Sequence, residues 1–157
     1  MKLQKLNHQA DNKDIKLNEL ISQFTKLLAE LEKRELPDEI VSSINNDIDE
    51  INAVTNIGNE LKKQLERRLQ KILKLLEKNL KLVPKNYYRN MWMALGMAVF
   101  GLPIGILMGV CWDSMAYLSI GLPIGLVIGL GLGSGMDNKA LKEGRQLDLD
   151  TNASTHE

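Results

Sequence analysis

The sequence predicts an all-α protein, with amphipathic helices in its N-terminal half followed by a two-helix transmembrane hairpin. Three observations predict it. Residues 1–90 hold 17 of the 20 Lys and Arg and 14 of the 20 Asp and Glu, whereas residues 91–136 hold one charged residue, Asp113. Before residue 81, Leu and Ile recur at intervals of three and four, the period of a helix with one apolar face. The pentapeptide Gly-Leu-Pro-Ile-Gly occurs twice, at Gly101–Gly105 and Gly121–Gly125, each time inside an uncharged apolar run. Zero net charge and a mean hydropathy of −0.17 therefore average two unlike halves.

Residues 1–12 are polar and without pattern, which predicts a disordered tail. A cytoplasmic helical region is expected over residues 13–84. Leu17, Leu20, Ile21, Phe24, Leu27, Leu28 and Leu31 form one stripe, predicting a helix from about Asp14 to Arg34 that stops before Pro37. Pro37-Asp38-Glu39 is a favourable helix start, proline followed by acids. The next stripe is Ile40, Ile44, Ile48, Ile51 and Val54, continuing at Leu61, Leu65, Leu69, Ile72, Leu75, Leu76 and Leu80. Asn56-Ile57-Gly58-Asn59 is its weak point, where the helix bends or breaks. Neither helix hides its stripe alone. A helical hairpin within the chain, with oligomeric contacts, is favoured over a long coiled coil because the heptads are irregular.

The hairpin is expected over residues 85–136. Met91–Trp112 and Met115–Met136 are 22 residues each, ~33 Å as helices against a hydrocarbon core of roughly 30 Å. Asp113 and Ser114 alone separate them, so the helices must be antiparallel neighbours. Tyr87, Tyr88 and Trp92 mark one interface, and Trp112 and Tyr117 the other. Lys85 and Arg89 precede the first span, and Lys139, Lys142 and Arg145 follow the second. The positive-inside rule then places both termini, including a charged tail at 137–157, in the cytoplasm and Asp113 outside.

Glycine weakens helices in water, but in lipid it allows the close backbone approach that drives helix pairing. Gly101, Gly105 and Gly109 in the first span and Gly121, Gly125, Gly129 and Gly133 in the second are spaced by four and so share one face of each helix. They are the expected packing surface. Gly131 and Gly135 lie on another side. Pro103 and Pro123 fall at nearly equal depth and are expected to kink both helices together. A sharper alternative is an ion site made by the freed carbonyls of Val99 and Ser119.

Lys62–Arg89 contains ten basic residues and two acids, after a stretch, Glu35–Glu60, with seven acids and no base. Lys62, Lys63, Arg67, Arg68, Lys71, Lys74, Lys78, Lys81, Lys85 and Arg89 form a juxtamembrane segment suited to anionic lipid. The alternative is an ordinary solvated helix face. Nucleic acid fits poorly, since the acidic stretch repels phosphate. No metal, cofactor, small-molecule substrate or enzymatic activity is expected. His8 and His156 stand far from any carboxylate cluster, Cys111 is the only cysteine, and Asp148-Leu149-Asp150 lacks the glycine and glutamate of a calcium loop.

Gly96–Leu147 resembles the glycine-zipper family of small bacterial membrane proteins. The paired Gly-Leu-Pro-Ile-Gly segments carry the resemblance, with the following Met136-Asp137-Asn138-Lys139-Ala140-Leu141-Lys142-Glu143-Gly144-Arg145-Gln146-Leu147. It implies two glycine-rich spans with a short charged tail in a bacterial inner membrane, and no particular activity. The expected function is an oligomerising anchor or scaffold that contacts membrane lipids and copies of itself or a helical partner. The alternative is a small oligomeric pore.

Overall fold

Among the described residues there are six α-helices and two short strands, in the order α1 (Ile15–Glu32), α2 (Asp38–Asn52), α3 (Asn59–Leu80), β1 (Val83–Lys85), α4 (Tyr87–Gly96), α5 (Leu102–Cys111), α6 (Leu118–Lys142) and β2 (Gln146–Asp150). A π-helical turn, Met97–Gly101, joins α4 to α5, and a 3-10 turn, Met115–Tyr117, precedes α6. The structure, a computed structural model, describes residues 2–7, 14–54 and 58–150. The class is all-α, as the sequence predicts. Two units divide the chain: residues 1–84 with 147–157, and residues 85–146.

The first unit is a helical bundle in which α1 and α2 both pack on α3. The Asp14 carboxylate accepts the Leu17 N–H at 3.1 Å and so caps α1, satisfying one of the free donors at a helix start. All seven apolar residues of the α1 stripe are buried. Ile40, Ile44, Ile48 and Ile51 meet them from α2, and Leu61, Leu65, Leu69, Ile72 and Leu76 from α3. The long second stripe is thus two helices. They separate at the predicted weak point, where Gly58 takes φ +156° just before α3; residues 55–57 lie outside the described residues. Three helices hide one another's stripes within a single chain.

Charge pairs fix α2 against α3. Asp47 is only 2 % exposed, and its Oδ1 accepts from Arg68 Nη1 and Lys71 Nζ, each at 2.7 Å. Arg68 also pairs with Glu50. Two cations on one buried carboxylate offset the cost of taking it out of water.

Two segments expected to be tails take part in the first unit instead. Residues 2–7 lie along α2, with Leu3 and Leu6 packed against the core. The Asn45 side chain donates to the Lys2 carbonyl at 3.1 Å and accepts the Gln4 N–H at 2.9 Å. Asn52 repeats the pattern, donating to the Lys5 carbonyl at 3.2 Å and accepting the Asn7 N–H at 2.9 Å. The registers agree: seven residues of helix advance ~10.5 Å, and three residues of open chain advance about 10 Å. Of the expected disordered stretch, residues 1 and 8–12 lie outside the described residues. At the other end, α6 runs on to Lys142, and β2 pairs with β1 in a two-stranded sheet. Leu147 and Leu149 are buried in the core alongside Leu82 and Val83. Gln146-Leu147-Asp148-Leu149-Asp150 alternates polar and apolar, the period of a half-buried strand.

Candidate functional site

The second unit is an antiparallel pair, α4–α5 against α6, and its distinguishing feature is the surface where the two meet. Tyr87–Cys111 and Leu118–Lys142 are 25 residues each, with mean hydropathy 2.1 and 1.7 over the most apolar window, of which 22 % is buried. By length and composition both can cross a membrane. The buried part is almost wholly glycine: Gly96, Gly101, Gly105 and Gly109 on one side, Gly121, Gly125, Gly129 and Gly133 on the other. The seven glycines predicted to form a packing surface are therefore all buried. Gly96 completes the set.

The glycines interdigitate with the opposite backbone rather than stacking one on one. A methyl group placed on Gly125 would lie 2.5 Å from the Gly101 nitrogen and 2.5 Å from the Gly96 carbonyl oxygen. On Gly121 it would strike the Gly101 carbonyl oxygen and the Gly105 backbone, and on Gly129 the Trp92 carbonyl. On Gly133 it would lie 2.5 Å from the Arg89 Cα. Real side chains do not approach backbone so closely, so each position admits hydrogen alone. Gly131 and Gly135 have open space around them and stand off this surface.

Gly96 was missed in the sequence because it precedes Gly101 by five residues instead of four. The π turn Met97–Gly101 supplies the reason: the Leu102 N–H bonds to the Met97 carbonyl, one residue further back than in an α-helix. That extra residue lets positions five apart share a face. It sits just before Pro103, which has no N–H to give and whose ring crowds the carbonyl four residues earlier. Pro123 lies inside a continuous α6. The two prolines are thus accommodated differently. Gly121 seats between Gly101 and Gly105, and Gly125 between Gly96 and Gly101, so Pro103 and Pro123 stand at nearly equal depth, on exposed positions.

Asp137 closes the open end of the hairpin, and sequence reasoning did not single it out. Its carboxylate is buried, with the residue 7 % exposed. Oδ1 accepts the Tyr88 N–H at 3.1 Å and Oδ2 the Arg89 N–H at 2.9 Å. These are first-turn amides of α4, and Asn86, at the cap position with φ 58°, provides no side-chain cap of its own. A negative group is favourable at a helix N-terminus and unfavourable near the C-terminal end of its own helix. The two direct hydrogen bonds decide in favour of the first. Close by, the Arg145 guanidinium is held more firmly in its charged form by the hydrogen bonds it donates to the Glu143 carboxylate, with Tyr88 contributing further. At the closed end Asp113 takes φ 50°, the Ser114 N–H bonds the Gly109 carbonyl at 3.0 Å, and the Trp112 and Tyr117 rings lie 5.4 Å apart.

The ten basic residues differ in their surroundings. Arg68 and Lys71 are paired to Asp47, Arg89 and Lys85 lie in α4 and β1, and Lys81 ends α3 in a left-handed conformation with φ 54°. Lys63, Arg67, Lys74 and Lys78 are exposed on α3, whereas Lys62 is half-buried. Among the described residues no group of His, Cys, Asp and Glu is placed to hold a metal ion; His8 and His156 lie outside them. Cys111 is a free, exposed thiol. No protein-family model, curated protein or solved structure matches this chain.

Proposed function

We propose that the protein is a non-enzymatic integral membrane protein, anchored by the glycine-faced hairpin and presenting its helical bundle at the cytoplasmic face of a bacterial inner membrane. The observation that carries it is the division of the hairpin surface. Inward, the helices are joined by glycine and closed by Asp137. Outward, Val99, Leu102, Ile106, Leu107, Val110, Ile120, Ile124, Val127 and Leu132 are exposed. A folded surface so continuously apolar is suited to lipid and costly in water. The core-helix alternative requires such helices to be covered, and only 22 % of each apolar window is buried.

Close packing within one hairpin makes the main glycine row a folding device. Assembly with further copies or a helical partner would use another face, of which Gly131 and Gly135 are the smoothest part. Orientation follows the flanking cations: both termini inside and Asp113 outside. The test is twofold. Alkaline carbonate should leave the full chain in the membrane fraction, and a reporter active only in the periplasm should be silent when fused after Glu157. Release by carbonate would sink the anchor, and an active reporter would invert the topology.

A further inference from the structure

Four cations on α3 form no ion pair among the described residues. At 100° per residue, Lys63, Arg67, Lys74 and Lys78 fall within about 60° of one another around the helix axis. The buried row Leu61, Leu65, Leu69, Ile72 and Leu76 lies on the opposite side. All four are exposed, and among the described residues none of them forms an ion pair. Their neighbours Arg68 and Lys71 turn toward α2 and are taken up by Asp47 and Glu50. Of the α3 cations outside that pairing, the four exposed ones form one straight ridge, from Lys63 to Lys78, ~22 Å long at 1.5 Å per residue. Like charges aligned on one face repel one another, eased only by Glu66 and Glu77 at the edge of the ridge, and an anionic partner would relieve that repulsion.

We infer that this ridge docks on anionic lipid headgroups. The inference rests on the membrane anchorage proposed above. Its second support is the chain itself: six residues, Lys81–Asn86, separate the end of α3 from the start of α4, a reach of at most ~20 Å. The ridge is thereby tethered to any bilayer that holds the hairpin, and docking becomes an intramolecular event at high effective concentration. The chemistry fits headgroup phosphates better than nucleic acid. No aromatic residue lies on α3 to stack on bases, and the ridge is a single exposed line rather than a groove.

The test uses the full chain in vesicles. A fluorophore is placed at exposed Gln70, beside the ridge, as Gln70→Cys in a Cys111→Ser background. Quenching by headgroup-labelled lipid is compared in phosphatidylcholine vesicles and in phosphatidylcholine with phosphatidylglycerol. Docking predicts quenching in the anionic vesicles only, reversed by salt because surface attraction is screened. Each neutralised ridge cation should lower the docked-to-free ratio about fivefold, so Lys74→Gln and Lys78→Gln report singly even where the fourfold variant fails to fold. Lys62→Gln, off the ridge, should change nothing. Equal quenching in both lipids, retention by Lys74→Gln and Lys78→Gln, an equal loss with Lys62→Gln, or quenching relieved by competing RNA at constant salt would each overturn the lipid assignment. Flotation separates the two layers of inference. Protein that fails to float with neutral vesicles defeats the membrane anchorage, whereas protein that floats without a lipid-dependent signal defeats the ridge alone.

Discussion

The bundle and the hairpin solve the same packing problem with opposite materials. In the first unit α1, α2 and α3 are held apart by Leu, Ile and Phe24 and joined by what those side chains fill. In the second, α4–α5 and α6 are joined by what is left out, so that Gly121 and Gly125 touch bare backbone. With the hairpin in a bilayer, as proposed above, the difference follows from the solvent. In water, large apolar side chains gain about 1.5–3 kcal/mol each on burial, whereas in lipid that gain vanishes and close backbone contact takes over. The units should therefore respond to substitutions of opposite sign, small-to-large in one and large-to-small in the other.

The largest effect is expected from Gly125→Leu. Overpacking among side chains costs about 1–3 kcal/mol, and here the obstacle is backbone on both sides, so the hairpin should part at this level. Crosslinking between cysteines in the two helices should be lost, while Gly131→Leu, with open space around it, should crosslink like the parent. Crosslinking that survives Gly125→Leu would mean the glycine face is not what joins the helices. Phe24→Ala comes next. It empties a fully buried position of the bundle and should cost about 3–5 kcal/mol, read as lost helix content on denaturation with the hairpin crosslink intact. An effect of equal size on both readouts would break the contrast between the units.

Two smaller effects sharpen it. Asp137→Ala removes the acceptor for the Tyr88 and Arg89 amides and should cost about 0.5–2 kcal/mol as a lost cap. Hydrogen exchange should rise at those two amides and stay unchanged at Leu17, whose cap is Asp14. Asn52→Ala should be the mildest, about 1 kcal/mol or less, with faster exchange at Asn7 and little change at Gln4, which Asn45 still holds. If Gln4 loosens equally, the two asparagines act as one clamp rather than two.

Features with a short period were legible in the sequence. The α1 stripe and the glycine row repeat within one helix, so each residue's neighbour on the face is three or four positions away. What escaped depends on distant partners or on a broken period. Asp137 acts on amides 48 and 49 residues earlier, and no local pattern marks it. Residues 2–7 are ordered by Asn45 and Asn52 of a later helix, so composition alone gave disorder. Strand β2 does carry a signal, the alternation Leu147-Asp148-Leu149, but its charges and its place after the last apolar helix read as a tail. Gly96 was hidden by a spacing of five that only a π turn can place on the glycine face.

That π turn also sets a rule about length. Deleting one residue between Met97 and Phe100 would restore a regular helix, ordinarily a gain. Gly96 and Gly101 would then stand four apart, the spacing of the other glycines, so Gly96 would stay against Gly129 and the Tyr88 and Arg89 amides against Asp137. A residue added to the regular helix α5 instead, with no bulge to take it up, would rotate everything before it by ~100° about the axis and carry Gly96 off that face. The hairpin thus tolerates a change of length at one point along its first helix, where the slack is already built in.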